Sequence, residues 1–199
     1  MSANMKTKIN SKIKASIAVK QAVLEDQKII TQIQTLVDAC LQSLKSGGKI
    51  IFAGNGGSFA DAQHLSAELT SRFLFDRAPL ASLALGTNNS VISAIGNDYG
   101  YEQVFARELR GIARLVDVFV PISTSGNSPS ILAAVAVAKE LGIVTIALTG
   151  ASGGQLKLVC ESLCIPSTDT ARIQECHIMI GHILCGLVEE IFFQQGVWT

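Results

Sequence analysis

Short, largely apolar runs of four to six residues recur along this chain, and each is followed by small polar residues or by a stretch with helical spacing. A strand that alternates apolar and polar residues has one wet face, whereas a continuously apolar strand is buried on both. Buried strands that alternate with helices require a parallel sheet, joined by right-handed crossovers and covered on both faces. Residues 49–53, 80–85, 117–122, 144–148 and 162–165 predict five such strands. Helical spacing is expected at 59–73, 90–95, 101–112, 130–141 and about 171–193. The pattern predicts an α/β fold, a three-layer αβα sandwich around a five-stranded parallel sheet.

Before the first strand, Ile13, Ile17, Val23, Leu24, Ile29, Ile30, Ile33, Val37, Cys40, Leu41 and Leu44 recur at steps of three and four, with Gly47-Gly48 as a stop. Residues 1–45 therefore read as a helical arm that packs on the domain or on neighbouring subunits, and 46–199 as one α/β domain. The 16 basic and 16 acidic side chains cancel, which argues against a nucleic-acid partner. Charged residues make up only 16% of the chain, which points to large internal or subunit interfaces. The uninterrupted apolar run 131–138 is far short of the ~20 residues of a membrane span. The polar, basic N-terminus does not read as a secretory signal. The five cysteines have no CxxC spacing, so reduced thiols and a cytoplasmic setting are expected.

In open parallel sheets, ligands bind beyond the carboxyl ends of the strands. Those ends carry Gly54-Asn55-Gly56-Gly57-Ser58, Ser123-Thr124-Ser125-Gly126-Asn127-Ser128, Thr149-Gly150-Ala151-Ser152-Gly153-Gly154 and Pro166-Ser167-Thr168-Asp169-Thr170. One such loop is explained as a turn; four on one edge call for a ligand. Residues 123–128 combine hydroxyls with Pro129 at a helix start, where free N–H groups and the dipole favour an anion. The loop contains no lysine or arginine, which suits a terminal phosphate on a small molecule. The plainer alternative is that Ser128 simply caps the helix. Phe59 stands where a dinucleotide fingerprint needs its third glycine, and GxxxxGK[ST] is absent, so no nucleotide cofactor is expected.

His64 and Glu68 are four residues apart on the helix after the glycine loop and share a face. That spacing suits a metal, although such pairs are more often surface contacts. Gln174, Glu175, His177 and His182 form a second group at the start of the last helix. Gln174 and His182 are separated by a rise of about 12 Å. One ion meets both only if the side chains lean together, if Gln174 precedes the regular helix, or if a neighbouring copy supplies one of them.

The segments GNGGSFADAQHLSAEL, AIGNDYG, STSGNS, LTGASGG and ARIQECHIMIGH, in this order, resemble the phosphoheptose isomerases of the SIS (sugar isomerase) superfamily. The resemblance covers nearly the whole chain. It implies interconversion of sedoheptulose 7-phosphate and D-glycero-D-manno-heptose 7-phosphate in a cytoplasmic homotetramer, with neither nucleic acid nor membrane as partner. It implies Glu68 as catalytic base and His182 as its acid partner. His64, Glu68, Gln174 and His182 match the zinc ligands of some members. Asn55, Gly56, Gly57, Glu68, Asn97, Asp98, Ser123, Thr124, Ser125, Ser128 and Gln174 match substrate-binding positions, with Arg72 and Thr124 in supporting roles. Ala171 departs from the pattern, since some members carry an acid there.

Two other readings compete. A close branch of the superfamily binds the replication initiator protein without catalysis, but such a module has no reason to hold both Glu68 and His182. Isomerases for arabinose 5-phosphate usually add regulatory domains, for which the residues up to Thr199 leave no room.

Overall fold

The computed structural model describes residues 2–194, with side chains from Asn4 onward; residue 1 and residues 195–199, the outer ends of the two expected segments, lie outside this range. Five parallel strands form one sheet: β1 (Ile50–Gly54), β2 (Ser82–Ala84), β3 (Val118–Ser123), β4 (Val144–Thr149) and β5 (Glu161–Cys164). Their spatial order is β2-β1-β3-β4-β5. The helices are α1 (Ser2–Glu25), α2 (Gln27–Lys45), α3 (Gly57–Thr70), α4 (Asn89–Tyr99), α5 (Val104–Ile112), α6 (Pro129–Glu140), α7 (Leu156–Val159) and α8 (Thr170–Gln194). The turn Tyr101–Gln103 is 3₁₀.

The pleat divides the core in two. Ile50, Phe52, Val118, Val120, Ile122, Ile146 and Leu148 point to one face, where they meet α2, α3 and α8. Ile51, Ala53, Phe119 and Ala147 point to the other, against α5 and α6. Both faces are dry, as the unbroken apolar runs require. These layers are the expected αβα sandwich around a five-stranded parallel sheet.

Three local features differ from the sequence reading. The helical arm breaks at Asp26, whose carboxylate accepts the N–H groups of Lys28 and Ile29 and starts a new helix. The apolar spacing continues across that break, so periodicity alone does not reveal it. The second strand is only Ser82–Ala84: Leu80 and Leu85 are buried, yet the amide of Leu80 bonds the end of α3. The single-turn α7 was not anticipated.

The last helix also corrects an expectation. By length and composition, α8 is apolar enough to cross a membrane, although its polar residues break it into short apolar runs. More than half of its most apolar stretch is buried within the fold, as in a core helix.

Candidate functional site at the carboxyl edge

The chain reverses its winding between β1 and β3: β1 leads into α3 on one face, and β3 into α6 on the other. A crevice opens at such a switch point, and the glycine loop and the hydroxyl loop are its two flanks. Asn55 joins them. Its Nδ2 donates to Ser128 Oγ at 2.8 Å and to Ser130 Oγ at 3.0 Å. Ser128 stands at the N-cap of α6, yet its side chain makes no capping hydrogen bond. The plain capping alternative is therefore not what this serine does. Its hydroxyl is tied to Asn55 and, at 3.2 Å, to Ser130.

The hydroxyl loop is held by backbone. Gly126 has φ +67°, and a Cβ there would lie 2.0 Å from the carbonyl oxygen of Gly153, so only glycine lets the two loops stack. Across this contact, Leu156 N donates to the Gly126 carbonyl at 3.0 Å, and Gln155 N to Asn127 Oδ1 at 2.9 Å. Gly150 N donates to the Thr124 carbonyl at 3.0 Å. Beside this stack opens a cleft of about 270 Å³ lined by Thr124, Ser125, Asn127, Ser152, Ser167 and Thr168, among others. Its polar lining consists of hydroxyls, amides and peptide groups.

The other flank carries ionisable groups. α3 and α8 run side by side in the same direction, and a Cβ at Gly181 would lie 2.4 Å from the Leu65 side chain. This close approach brings His182 of α8 to His64 of α3, Nε2 to Nε2, at 2.9 Å. Glu68 Oε1 is 3.2 Å from His64 Nε2. Ligand atoms of His64, Glu68 and His182 all lie within 4.8 Å of one another. The ring of Phe73 stacks on His182, with centroids 5.6 Å apart.

Behind this trio lies a buried ion pair, Arg77 with Glu189, at 2.8 Å. Arg77 also donates to the carbonyls of Glu68, Leu69 and Ser71, so it fastens the end of α3 that carries the Glu68 side chain. Glu189 accepts the amides of Phe73 and Leu74 at 3.0 and 2.7 Å, which fixes the segment stacked on His182. Burial pushes the Glu189 carboxyl up, but those amides and the Arg77 guanidinium outweigh it and hold it below the usual carboxylate range.

The SIS domain family model matches residues 13–150, across the arm and the first four strands. The phosphoheptose isomerase of Aneurinibacillus thermoaerophilus is 49% identical over 94% of this chain and 95% of its own length. This chain belongs to the phosphoheptose isomerase family. Two solved phosphoheptose isomerases share its structure. That of Francisella tularensis is 37% identical with TM-score 0.87, covering 94% of this chain and 98% of its own. That of Neisseria gonorrhoeae is 39% identical with TM-score 0.85, covering 92% and 99%.

Within this phosphoheptose isomerase family member, the expected residues fall into three places. Ser123, Thr124, Ser125 and Ser128 lie on the hydroxyl flank, with Asn55 bridging to it. His64, Glu68 and His182 form the ionisable cluster on a single chain. Gln174 stands apart from that cluster in sequence register: a Cβ on Gly57 would meet its Nε2 at 2.6 Å, so its carboxamide lies over the start of α3. Gly57 precedes His64 by about 10 Å along the helix. Gly56, at φ +56°, is the N-cap of α3. Asn97 and Asp98 are exposed near the end of α4, where Asn97 Nδ2 donates to Asp98 Oδ1 at 2.8 Å. Arg72 is exposed just beyond α3.

His177 faces the sheet rather than the cluster. It is buried, donates from Nε2 to the Thr149 carbonyl at 3.2 Å, and leaves Nδ1 unpartnered. Burial pushes its pKa down to about 4, so the ring is neutral. Sequence reasoning missed Phe73, Arg77, Tyr101, Ser130 and Glu189. No local pattern in the sequence points to any of them.

Proposed function

We propose that this protein converts sedoheptulose 7-phosphate to D-glycero-D-manno-heptose 7-phosphate in the cytoplasm, supplying heptose for cell-surface polysaccharide such as the lipopolysaccharide core. The observation that carries this reading is the gathering of His64, Glu68 and His182 on the facing sides of α3 and α8, in a chain that also has a hydroxyl-rich helix start at the sheet's switch point. The identities of the relatives favour it over the initiator-binding alternative.

The reaction moves one proton from C1 to C2 through a cis-enediol. The Glu68 carboxylate takes the C1 proton, which exchanges with solvent while the enediol lives, and then delivers a proton to C2. His182 gives a proton to O2 as the carbonyl electrons move there, and recovers one from O1 as the aldehyde forms. The stacking of Phe73 on His182 and the Arg77–Glu189 pair hold these groups in register. Ser123, Thr124, Ser125 and Ser128, with the free amides of α6, bind the phosphate at the far end. Asn55, Gly56, Gly57, Asn97, Asp98 and Gln174 complete the substrate contacts.

Two imidazole nitrogens and a carboxylate oxygen are a donor set that zinc accepts, and two facing Nε2 atoms at 2.9 Å require a proton or a cation between them. His64, Glu68 and His182 would hold the ion; Gln174, the fourth donor expected from the family, lies over the start of α3 in this chain and would have to swing toward the cluster or come from a neighbouring copy. When bound, zinc supplies Lewis-acid polarisation of the substrate's oxygens. The exposed apolar stripe Met5, Ile9, Ile13, Ile17 on α1 supports assembly of the arm with further copies, as a homotetramer.

The test is turnover of sedoheptulose 7-phosphate by purified protein before chelation, after it, and after zinc is restored. Aldose formation that falls on chelation and returns with zinc is expected. No turnover by zinc-supplied protein would overturn the reading and turn attention to the initiator protein.

A further inference from the structure

Asn55 lies in the middle of a hydrogen-bond chain that begins outside the site. The phenol of Tyr101 donates to Asn55 Oδ1 at 2.7 Å. At its other end, the Asn55 carboxamide donates to Ser128 Oγ and Ser130 Oγ, which are themselves 3.2 Å apart. The two ends of a carboxamide are not equivalent: the oxygen only accepts and the nitrogen only donates. With the nitrogen toward the serines, both hydroxyl oxygens are occupied as acceptors on the inner side. Ser130 is 3% exposed, and its near partner for its own proton is Ser128 Oγ. The Ser128 proton is then left to point outward, into the site.

Turned over, the same carboxamide would accept from the serines. Ser128 would then face the site with lone pairs, which repel an anion. A phenol, more acidic than an aliphatic hydroxyl, is the better donor and favours the oxygen end of Asn55. Tyr101 is 57% exposed in the 3₁₀ turn, so it contributes little to the core. Its hydroxyl reaches Asn55 across 46 residues of sequence.

We infer that Tyr101 is a positioning residue for phosphate recognition: it sets the orientation of the Asn55 carboxamide, so that Ser128 offers the phosphate a proton instead of lone pairs. The inference rests on the reading of residues 123–128 as the phosphate site. It assigns no contact between Tyr101 and the substrate.

The experiment uses Tyr101→Phe, which removes one oxygen from an exposed ring, with inorganic phosphate as competitive inhibitor and sedoheptulose 7-phosphate as substrate. Loss of one neutral hydrogen bond should raise both the phosphate Ki and the KM about fivefold, with kcat within about twofold. In a Ser128→Ala background, the same change should have no further effect, because the relay has lost its end. If Ser128→Ala weakens phosphate binding and Tyr101→Phe does not, the relay is wrong while the phosphate site stands. Equal shifts in both backgrounds would also overturn it, since Tyr101 would be acting by another route. If Ser128→Ala itself leaves the phosphate Ki unchanged, the phosphate site falls and the relay with it.

Discussion

On one flank of the crevice, His64, Glu68 and His182 converge as titratable groups, and a buried arginine–glutamate pair holds them from behind. On the other flank, residues 123–128 present neutral hydroxyls and amides, and close backbone contacts at Gly126 and Gly153 hold them. The difference fits the roles proposed for the two flanks. A proton is moved only by groups that change protonation state, and such groups need a fixed charged frame to keep their geometry. A phosphate arrives charged and is only held, so oriented dipoles are sufficient, and no buried cation is left unpaired while the site is empty. Substitutions on the first flank should therefore act on kcat, and those on the second on KM.

The largest expected effect is on the first flank. Glu68→Gln keeps shape and hydrogen bonding but removes the base. It should lower kcat by roughly 10²–10⁴-fold, with KM changed only a few-fold and the thermal midpoint unchanged. Near-normal kcat would erase the contrast between the flanks.

The frame comes next. Glu189→Gln leaves the Arg77 charge buried without its partner, which should cost about 3–5 kcal/mol and lower the melting temperature by roughly 10 °C. Calorimetry checks this; an unchanged midpoint would mean that the pair does not brace the cluster.

On the second flank, Ser125→Ala and Ser128→Ala each remove a hydroxyl proposed to bind the phosphate. Each should weaken substrate binding by about 1.5–3 kcal/mol, seen as higher KM with little change in kcat. A fall in kcat with KM unchanged would place these residues with the chemistry instead.

An effect confined to acid pH, and absent at neutral pH, arises at His177. Its pKa is about 4 in the fold against 6.5 for the free side chain, so between those values the unfolded chain binds a proton that the native one does not. Stability should rise with pH through this window and fall by on the order of 3 kcal/mol as pH drops from 6.5 to 4. His177→Asn should flatten that dependence in denaturation curves; an unchanged slope would show that the ring titrates normally.

What was legible in the sequence follows the same division. The parallel sheet could be read because a strand buried on both faces must be apolar at every position, as in Ile50-Ile51-Phe52-Ala53. The hydroxyl loop could be read because its residues are contiguous. His64 and Glu68 share one helix face, so spacing alone paired them, whereas His182, 118 residues from His64, stood out only within a separate group on the last helix and was joined to them through the resemblance. Arg77 and Glu189 are 112 residues apart, and no local pattern announces such a pair. Asp26 was hidden because a cap changes one residue's dihedrals without interrupting the apolar spacing around it.

The most direct test of the central claim is to incubate wild-type and Glu68→Gln protein, both supplied with zinc, with sedoheptulose 7-phosphate in D₂O and to follow C1 and C2 by NMR. The account predicts that the wild type forms the aldose heptose 7-phosphate and exchanges the migrating hydrogen with solvent, while Glu68→Gln does neither yet still binds the substrate. Equal exchange by both proteins, or none by the wild type, would contradict it.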